Sequence, residues 1–382
     1  MQTMKIVYFA LTQQGAALAG RLAKMLPGEV VTKDTLKAEG KSFADKAADC
    51  WRRKDGLVFI MASGIVVRTI APLLKSKATD PAVVVMDGAG HFAISLLSGH
   101  LGGANELAMK LGALSGAQTV ITTGTDVAGT VAFDVFAKKY QCRIENMEAL
   151  KFISSAMIEG EPVGVFSTWE PLPDFPGNVR GYFATPDVCR EEAGVFIGHP
   201  YDKKHFFDGR LEAAVSHLLV LRPKNLYIGA GCKKNTDSET MAAAFEEFLI
   251  RNQVCVKDVA GLATIELKRN EPAIRNLCER YGLKLVIIEK EKIQALEAEG
   301  AVTASEFVRK TTGIGSVCEG CALAAAVEGW AHFGKTYETA DSVGGIAGKM
   351  AAVKTQARLI CQKTKYTGIT FAMAEHRPWQ EE

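Results

Sequence analysis

Hydrophobic positions along this chain fall into short unbroken apolar runs and longer stretches where apolar residues recur at helical spacing. The runs Met4 to Ala10, Val30 to Thr32, Gly56 to Met61, Ala82 to Met86, Phe92 to Leu97 and Gln118 to Thr122 read as strands. Between them, Gln13 to Leu26, Phe43 to Arg53 and Leu101 to Leu114 carry the helical period, and Pro27-Gly28 closes the first. Asp87-Gly88 is a hairpin signal, so Gly88 and Gly90 read as turn residues rather than phosphate holders. Strand and helix in alternation predict an α/β unit with a mostly parallel sheet.

From residue 140 to 223 the rhythm loosens. Pro162, Pro171, Pro173, Pro176, Pro186 and Pro200 punctuate short apolar runs such as Val163 to Phe166, predicting a small mixed α/β module with a loop over Trp169 to Gly177. A second α/β unit opens with a strand from Leu226, the turn Gly229-Ala-Gly231 and a helix to about Arg251. Pro272 to Tyr281 and Lys284 to Ile288 add a helix and a strand, and Ser316 to Trp330 an alanine-rich helix. Ala357 to Lys363 and Gly368 to Ala374 close the chain as strand-like runs. The expected division is 1–139, 140–223 and 224–382: two Rossmann-like α/β units with mostly parallel sheets, joined by a small mixed α/β middle module.

Composition narrows the class without naming a chemistry. Within 382 residues, 45 basic against 43 acidic side chains create no global field to gather nucleic acid or an anionic membrane. The nine cysteines are dispersed and read as reduced thiols. The start lacks the pattern of a signal peptide, and no apolar stretch reaches about 18 residues, so a soluble cytoplasmic protein is expected.

Candidate chemistry collects at strand ends. Ser63-Gly64 follows one strand, Ser98-Gly99-His100-Leu-Gly102-Gly103-Ala-Asn105-Glu106 a second, and Thr123-Gly-Thr-Asp126 a third. If the strands are parallel neighbours, the three loops converge on one crevice at their carboxyl ends, where open α/β sheets bind ligands. His100 then reads as a general base or a turn anchor, Asp126 as a base or a helix cap, and Glu106 as a catalytic or an exposed helix carboxylate. Lys233 and Lys234 sit where a helix start is expected, a poor place for cations unless an anion lies between them. Gly229-Ala-Gly231 resembles a dinucleotide fingerprint, but Lys234 stands in place of the third glycine. Gly344 to Met350 departs from a P-loop at Val343 and Met350. Cys318-Glu-Gly-Cys321 has metal or redox spacing, yet on an alanine-rich helix it reads first as core packing.

The segments Met61-Ala-Ser63-Gly64-Ile-Val-Val-Arg68, Asp80-Pro81 to Asp87, Ser98 to Ala108 and Thr122 to Asp126 resemble the cobalt-precorrin 5A hydrolase family of anaerobic cobalamin biosynthesis. So do Ile228 to Lys234, Leu262 to Glu271 and Gly313-Ile-Gly315-Ser-Val. The late helix departs from the family, with Gly320 and Cys321 where alanines are usual and Cys318 at a variable position. The resemblance implies opening of a δ-lactone on a cobalt corrinoid and release of acetaldehyde during ring contraction. It implies His100, Asp126 and Glu106 as catalytic candidates. Ser63, Gly64, Ser98, Gly99, Gly102, Gly103, Asn105, Thr123, Lys233, Lys234 and Lys268 are the candidates for binding substrate. No cofactor or protein-bound metal is expected, the cobalt arriving with the substrate. Transient contact with other enzymes of the pathway and a homodimer are the partner expectations. The alternatives are a non-catalytic corrinoid-binding protein and a dinucleotide-dependent oxidoreductase.

Overall fold

The structure, a computed structural model, describes residues 4–53, 56–76, 79–169, 172–175, 177–183, 192–202, 211, 215–335 and 356–378. The chain divides into two compact units, one of residues 1–136 and 157–159, the other of residues 137–156 and 160–382.

The first unit is built on β1 (Ile6–Ala10), β2 (Gly28–Val31), β3 (Gly56–Ile60), β4 (Ala82–Met86), β5 (Phe92–Leu97) and β6 (Gln118–Val120), in the order β2-β1-β3-β4-β5-β6. Its helices are α1 (Gln13–Met25), α2 (Lys33–Glu39), α3 (Phe43–Trp51), α4 (Ser63–Ile70), α5 (Ala104–Ser115), α6 (Gly124–Val127) and α7 (Phe133–Lys139). The unbroken apolar runs are explained by burial on both faces. On β1, Ile6, Tyr8 and Ala10 pack with Leu18 and Leu22 of α1 and Leu107 and Leu111 of α5. Val7 and Phe9 join Cys50 and Trp51 of α3 and Val66 and Ile70 of α4 on the other face. Each such side chain withdrawn from water contributes roughly 1.5–3 kcal/mol. Helix α2 escaped the pattern because it is short. A capping box between Thr32 and Thr35 starts it, and Gly40 in the left-handed region ends it.

Strand direction corrects one expectation. β3 and β4 run parallel, but β4 and β5 pair antiparallel through the Asp87-Gly88 turn, and β6 runs parallel to β5. The carboxyl ends of β5 and β6 therefore lie at the opposite end of the sheet from the carboxyl end of β3. Ser98-Gly99-His100 and Thr123-Gly124-Thr125-Asp126 share one end; Ser63 and Gly64 lie at the other.

The second unit holds two sheets. β7 (Cys142–Ile144), β8 (Val163–Ser167), β9 (Val179–Phe183), β10 (Ala193–Ile197) and β11 (His217–Pro223) order as β7-β11-β10-β8-β9, parallel except at β7. β12 (Leu226–Cys232), β13 (Val259–Ile265), β14 (Leu285–Ile288), β15 (Ala357–Tyr366) and β16 (Ile369–His376) order as β14-β13-β12-β16-β15, with β15 and β16 an antiparallel hairpin added to a parallel core. Among the described residues, the α-helices that follow α7 are α8 (Met147–Glu159), α9 (Ser238–Arg251), α10 (Pro272–Tyr281), α11 (Lys290–Ala298), α12 (Glu306–Thr312) and α13 (Cys318–Lys335). The chain is thus α/β throughout. The P-loop-like run from Gly344 to Met350 lies outside the described residues.

Candidate functional site

At the end of β5 the chain turns through Ser98, whose φ of 57° is unusual for a residue with a side chain. The loop folds back on the helix it precedes: the Ala104 amide donates to the Ser98 carbonyl at 3.1 Å, and the Asn105 amide to the Gly99 carbonyl at 3.0 Å. Gly103, at φ 88°, turns the backbone into α5. The glycines thus have a local cause, a loop wound so tightly that side chains would collide with it.

The winding delivers Asn105 and His100 to the same end as α6. Asn105 is buried. Its Nδ2 donates to Thr123 Oγ1 and to Asp126 Oδ2, both at 3.0 Å, while its Oδ1 accepts from Ser95 Oγ at 2.6 Å. His100 stands between two carboxylates, with Nε2 2.8 Å from Asp126 Oδ2 and Nδ1 3.2 Å from Asp134 Oδ1. Thr125 Oγ1 lies 3.2 Å from the same Nε2. The hydrogen bond to Asp134 raises the histidine above its ordinary pKa; burial opposes this and Asp126 adds to it. His100 and Asp134 are largely enclosed, their side chains 14% and 12% exposed, whereas Asp126 is 42% exposed. Among the described residues, the second carboxylate oxygen of Asp126 accepts no hydrogen bond, and the amides of Gly99 and Gly102 find no acceptor. The arrangement offers a carboxylate oxygen and two amides to a ligand, beside a histidine held at both nitrogens.

Several candidates stand elsewhere. Glu106 is on the exposed face of α5, paired with Lys110 at 2.6 Å one turn on, and among the described residues it makes no hydrogen bond or ion pair with the histidine cluster. The Gly103 amide, a candidate donor to an oxyanion, already donates to the His100 carbonyl at 3.0 Å. Ser63 and Gly64 open α4, where Arg68 donates to the Gly64 carbonyl at 3.0 Å. Ser98 is in the loop, but its Oγ is buried with no hydrogen-bond partner among the described residues. Asp134 was not legible as a candidate, and Thr125 only as part of the loop that ends at Asp126. Asp134 lies one residue into a helix far along the chain, and no motif ties it to His100.

In the second unit, Lys233 and Lys234 are exposed and lie ahead of α9 rather than at its start, which Asp237 caps by accepting from the Thr240 amide. The helix-dipole argument for an anion there falls away. Lys268 is committed to Glu271 at 3.0 Å, and Glu271 also accepts from the Asn235 amide at 2.8 Å. Gly229 has a packing cause, since a Cβ there would overlap the Cys318 carbonyl oxygen at the start of α13. A helix lying against that glycine is the reverse of a glycine loop opened toward a pyrophosphate. Cys318 and Cys321 are buried in the apolar cluster of α13, and burial pushes the Cys318 thiol up to about 11 and Cys321 well above its usual range. Both are packing groups. Among the described residues, no three His, Cys, Asp or Glu side chains are grouped to hold a metal ion, and no helix is long and apolar enough to cross a membrane.

The chain matches the family models described as Cobalamin synthesis G N-terminal over residues 45–126, Cobalamin biosynthesis central region over 131–223 and Cobalamin synthesis G C-terminus over 226–374. It is 34% identical over 276 residues to a cobalt-precorrin-5A hydrolase of Priestia megaterium, covering 70% of this chain and 72% of the relative. To the cobalt-precorrin-5A hydrolase of Salmonella typhimurium (strain LT2) it is 34% identical over 332 residues, covering 83% and 91%. A solved structure of a putative cobalamin biosynthesis protein G homolog from Sulfolobus solfataricus aligns over 98% of this chain and 99% of its own at 21% identity, with a TM-score of 0.38.

Proposed function

Since the chain belongs to the cobalt-precorrin-5A hydrolase family, we propose that the end of the sheet around His100 and Asp126 carries out the hydrolysis. The protein is a cobalt-precorrin-5A hydrolase of cobalamin biosynthesis. The proposal concerns the bonds and the residues: water opens a δ-lactone on the corrinoid, and a carbon–carbon bond then breaks to release a two-carbon fragment as acetaldehyde. The cobalt enters as part of the substrate, and the reaction is proposed to run in the cytoplasm.

The observation that carries this reading is the vacant oxygen of Asp126, held in place through the other oxygen by His100 and Asn105. A carboxylate fixed on one side and open on the other can accept a proton from a water molecule as that water attacks the lactone carbonyl. The oxyanion formed on the carbonyl is served by the Gly99 and Gly102 amides. As the tetrahedral centre collapses, the ring C–O bond breaks, and the departing oxygen takes a proton from the His100 imidazolium. That hydroxyl then loses its proton as the adjacent C–C bond breaks. Its carbon becomes the carbonyl of acetaldehyde, the electron pair passing into the conjugated macrocycle. One water enters and one acetaldehyde leaves.

In the second unit, Lys233 and Lys234 are proposed to attract carboxylates, an effect that added salt weakens. The test is incubation of the protein with the lactone-bearing cobalt corrinoid, following acetaldehyde by trapping and the corrinoid by mass. Loss of a two-carbon unit supports the reading. Stoichiometric binding with unchanged mass would make the protein a corrinoid carrier instead.

A further inference from the structure

We propose that Asp134 is a positioning residue that keeps His100 doubly protonated and its ring aimed at Asp126. This rests on the reading of His100 and Asp126 as the reacting pair.

The inference follows from which atoms can carry hydrogens. A neutral imidazole has one N–H and one lone pair. With Asp134 Oδ1 3.2 Å from Nδ1 and Asp126 Oδ2 2.8 Å from Nε2, either neutral tautomer would press a nitrogen lone pair against a carboxylate oxygen. Only the imidazolium donates to both. Asp134 and Asp126 are the charged groups facing the ring, from α7 and α6 respectively, and Thr125 adds a hydroxyl at 3.2 Å. One positive and two negative charges leave the cluster with a net negative charge, which favours keeping the proton. The raised pKa of His100 accords with this.

The two carboxylates differ in access, and the difference sets their roles. Asp134, on the first turn of α7, is enclosed, and its Oδ1 also accepts from the Val135 amide at 3.0 Å, so its orientation is set by its own backbone. Asp126 is open. A histidine anchored from the enclosed side and paired on the open side can hand a proton outward and recover it without turning its ring, the division of labour seen wherever a buried carboxylate orients a catalytic imidazole.

The experiment is titration of the His100 ring by NMR in the full-length wild type, Asp134→Asn and Asp134→Glu, alongside the pH profile of acetaldehyde release. The wild-type ring should titrate above about 6.5, the ordinary histidine value. Asp134→Asn should lower that midpoint by about one pH unit, the usual reach of one adjacent carboxylate, and draw the alkaline limb of kcat down by the same interval while KM holds. Asp134→Glu should keep the midpoint high. A wild-type midpoint at or below the ordinary value overturns the proposal and needs no variant to fold. So does an Asp134→Asn ring that titrates as the wild type does, with kcat reduced equally at every pH, because that is the mark of a purely structural residue. If the wild type releases no acetaldehyde, the catalytic reading fails while the ring titrations still decide the role of Asp134. If acetaldehyde appears but the ring titrates normally, Asp134 alone is misassigned.

Discussion

A methyl group placed on Gly99 would stand 2.6 Å from the carboxamide oxygen of Asn105, the oxygen that Ser95 already occupies. The loop and the helix it leads into are packed so closely at this pair that the smallest side chain does not fit. Gly99→Ala should therefore push Asn105 off Thr123 and Asp126. The overpacking is expected to cost about 1–3 kcal/mol, and the urea midpoint of the variant should fall together with its rate of acetaldehyde release. Unchanged stability and rate would show that the pair has room to relax.

Glu106 and Asp126 make opposite predictions although both are carboxylates near the same loop. Asp126→Asn keeps the shape but takes away the proton acceptor, and kcat should drop by about two to four orders of magnitude. Glu106→Gln breaks only an exposed pair with Lys110, and the rate should stay within about twofold, in keeping with the small worth of such pairs. Comparable losses in the two variants would restore Glu106 to the mechanism.

The charge on His100 should be visible in stability as well as in rate. Its pKa is raised in the fold, so its contribution is fully present below about 6.5, the unfolded value, and is lost as pH rises through the higher folded value. The urea midpoint of wild type should exceed that of His100→Gln most at mildly acid pH, and the gap should narrow as the solution is made alkaline. A gap that widens with pH would mean the histidine is neutral in the fold.

A second ionic cluster, buried in the other unit, has a different balance. Arg358 donates to Glu375 at 2.6 Å and to Asp202 at 3.0 Å, and its guanidinium lies 4.3 Å from the centre of the Trp169 ring. Burial outweighs that cation: Asp202 is raised to about 6, and Glu375 is raised as well. Removing the arginine strands two acids. Arg358→Met should lose about 3–5 kcal/mol near neutral pH, the cost of leaving a buried charge unpaired. For Asp202 the raised folded value means that the native state binds a proton more tightly than the unfolded chain. Its stabilising uptake of a proton grows as pH falls from about 6 toward the ordinary value of 3.8. Because Arg358 lowers Asp202, its loss raises that acid further, so thermal melts should show the defect of Arg358→Met shrinking as pH falls toward about 6, and a defect independent of pH would place the ionisation elsewhere.

What the sequence determined by itself was local. Unbroken runs such as Val58 to Ile60 can be satisfied only by burial on both faces, so the α/β class followed from periodicity. The Asp87-Gly88 turn announced a hairpin, and the tight glycine loop before Asn105 marked where side chains would meet. Local periodicity carries no information about strand order or direction, however, and that is what decides which loops become neighbours. Tertiary pairing reversed β5 and β6 against β3, which separated Ser63 and Gly64 from His100. It also brought Asp134 to within 3.2 Å of a histidine from which the chain path separates it by α5, β6 and α6. Because hydrogen bonding at both imidazole nitrogens depends on that approach, the protonation state of His100 was decided by the fold.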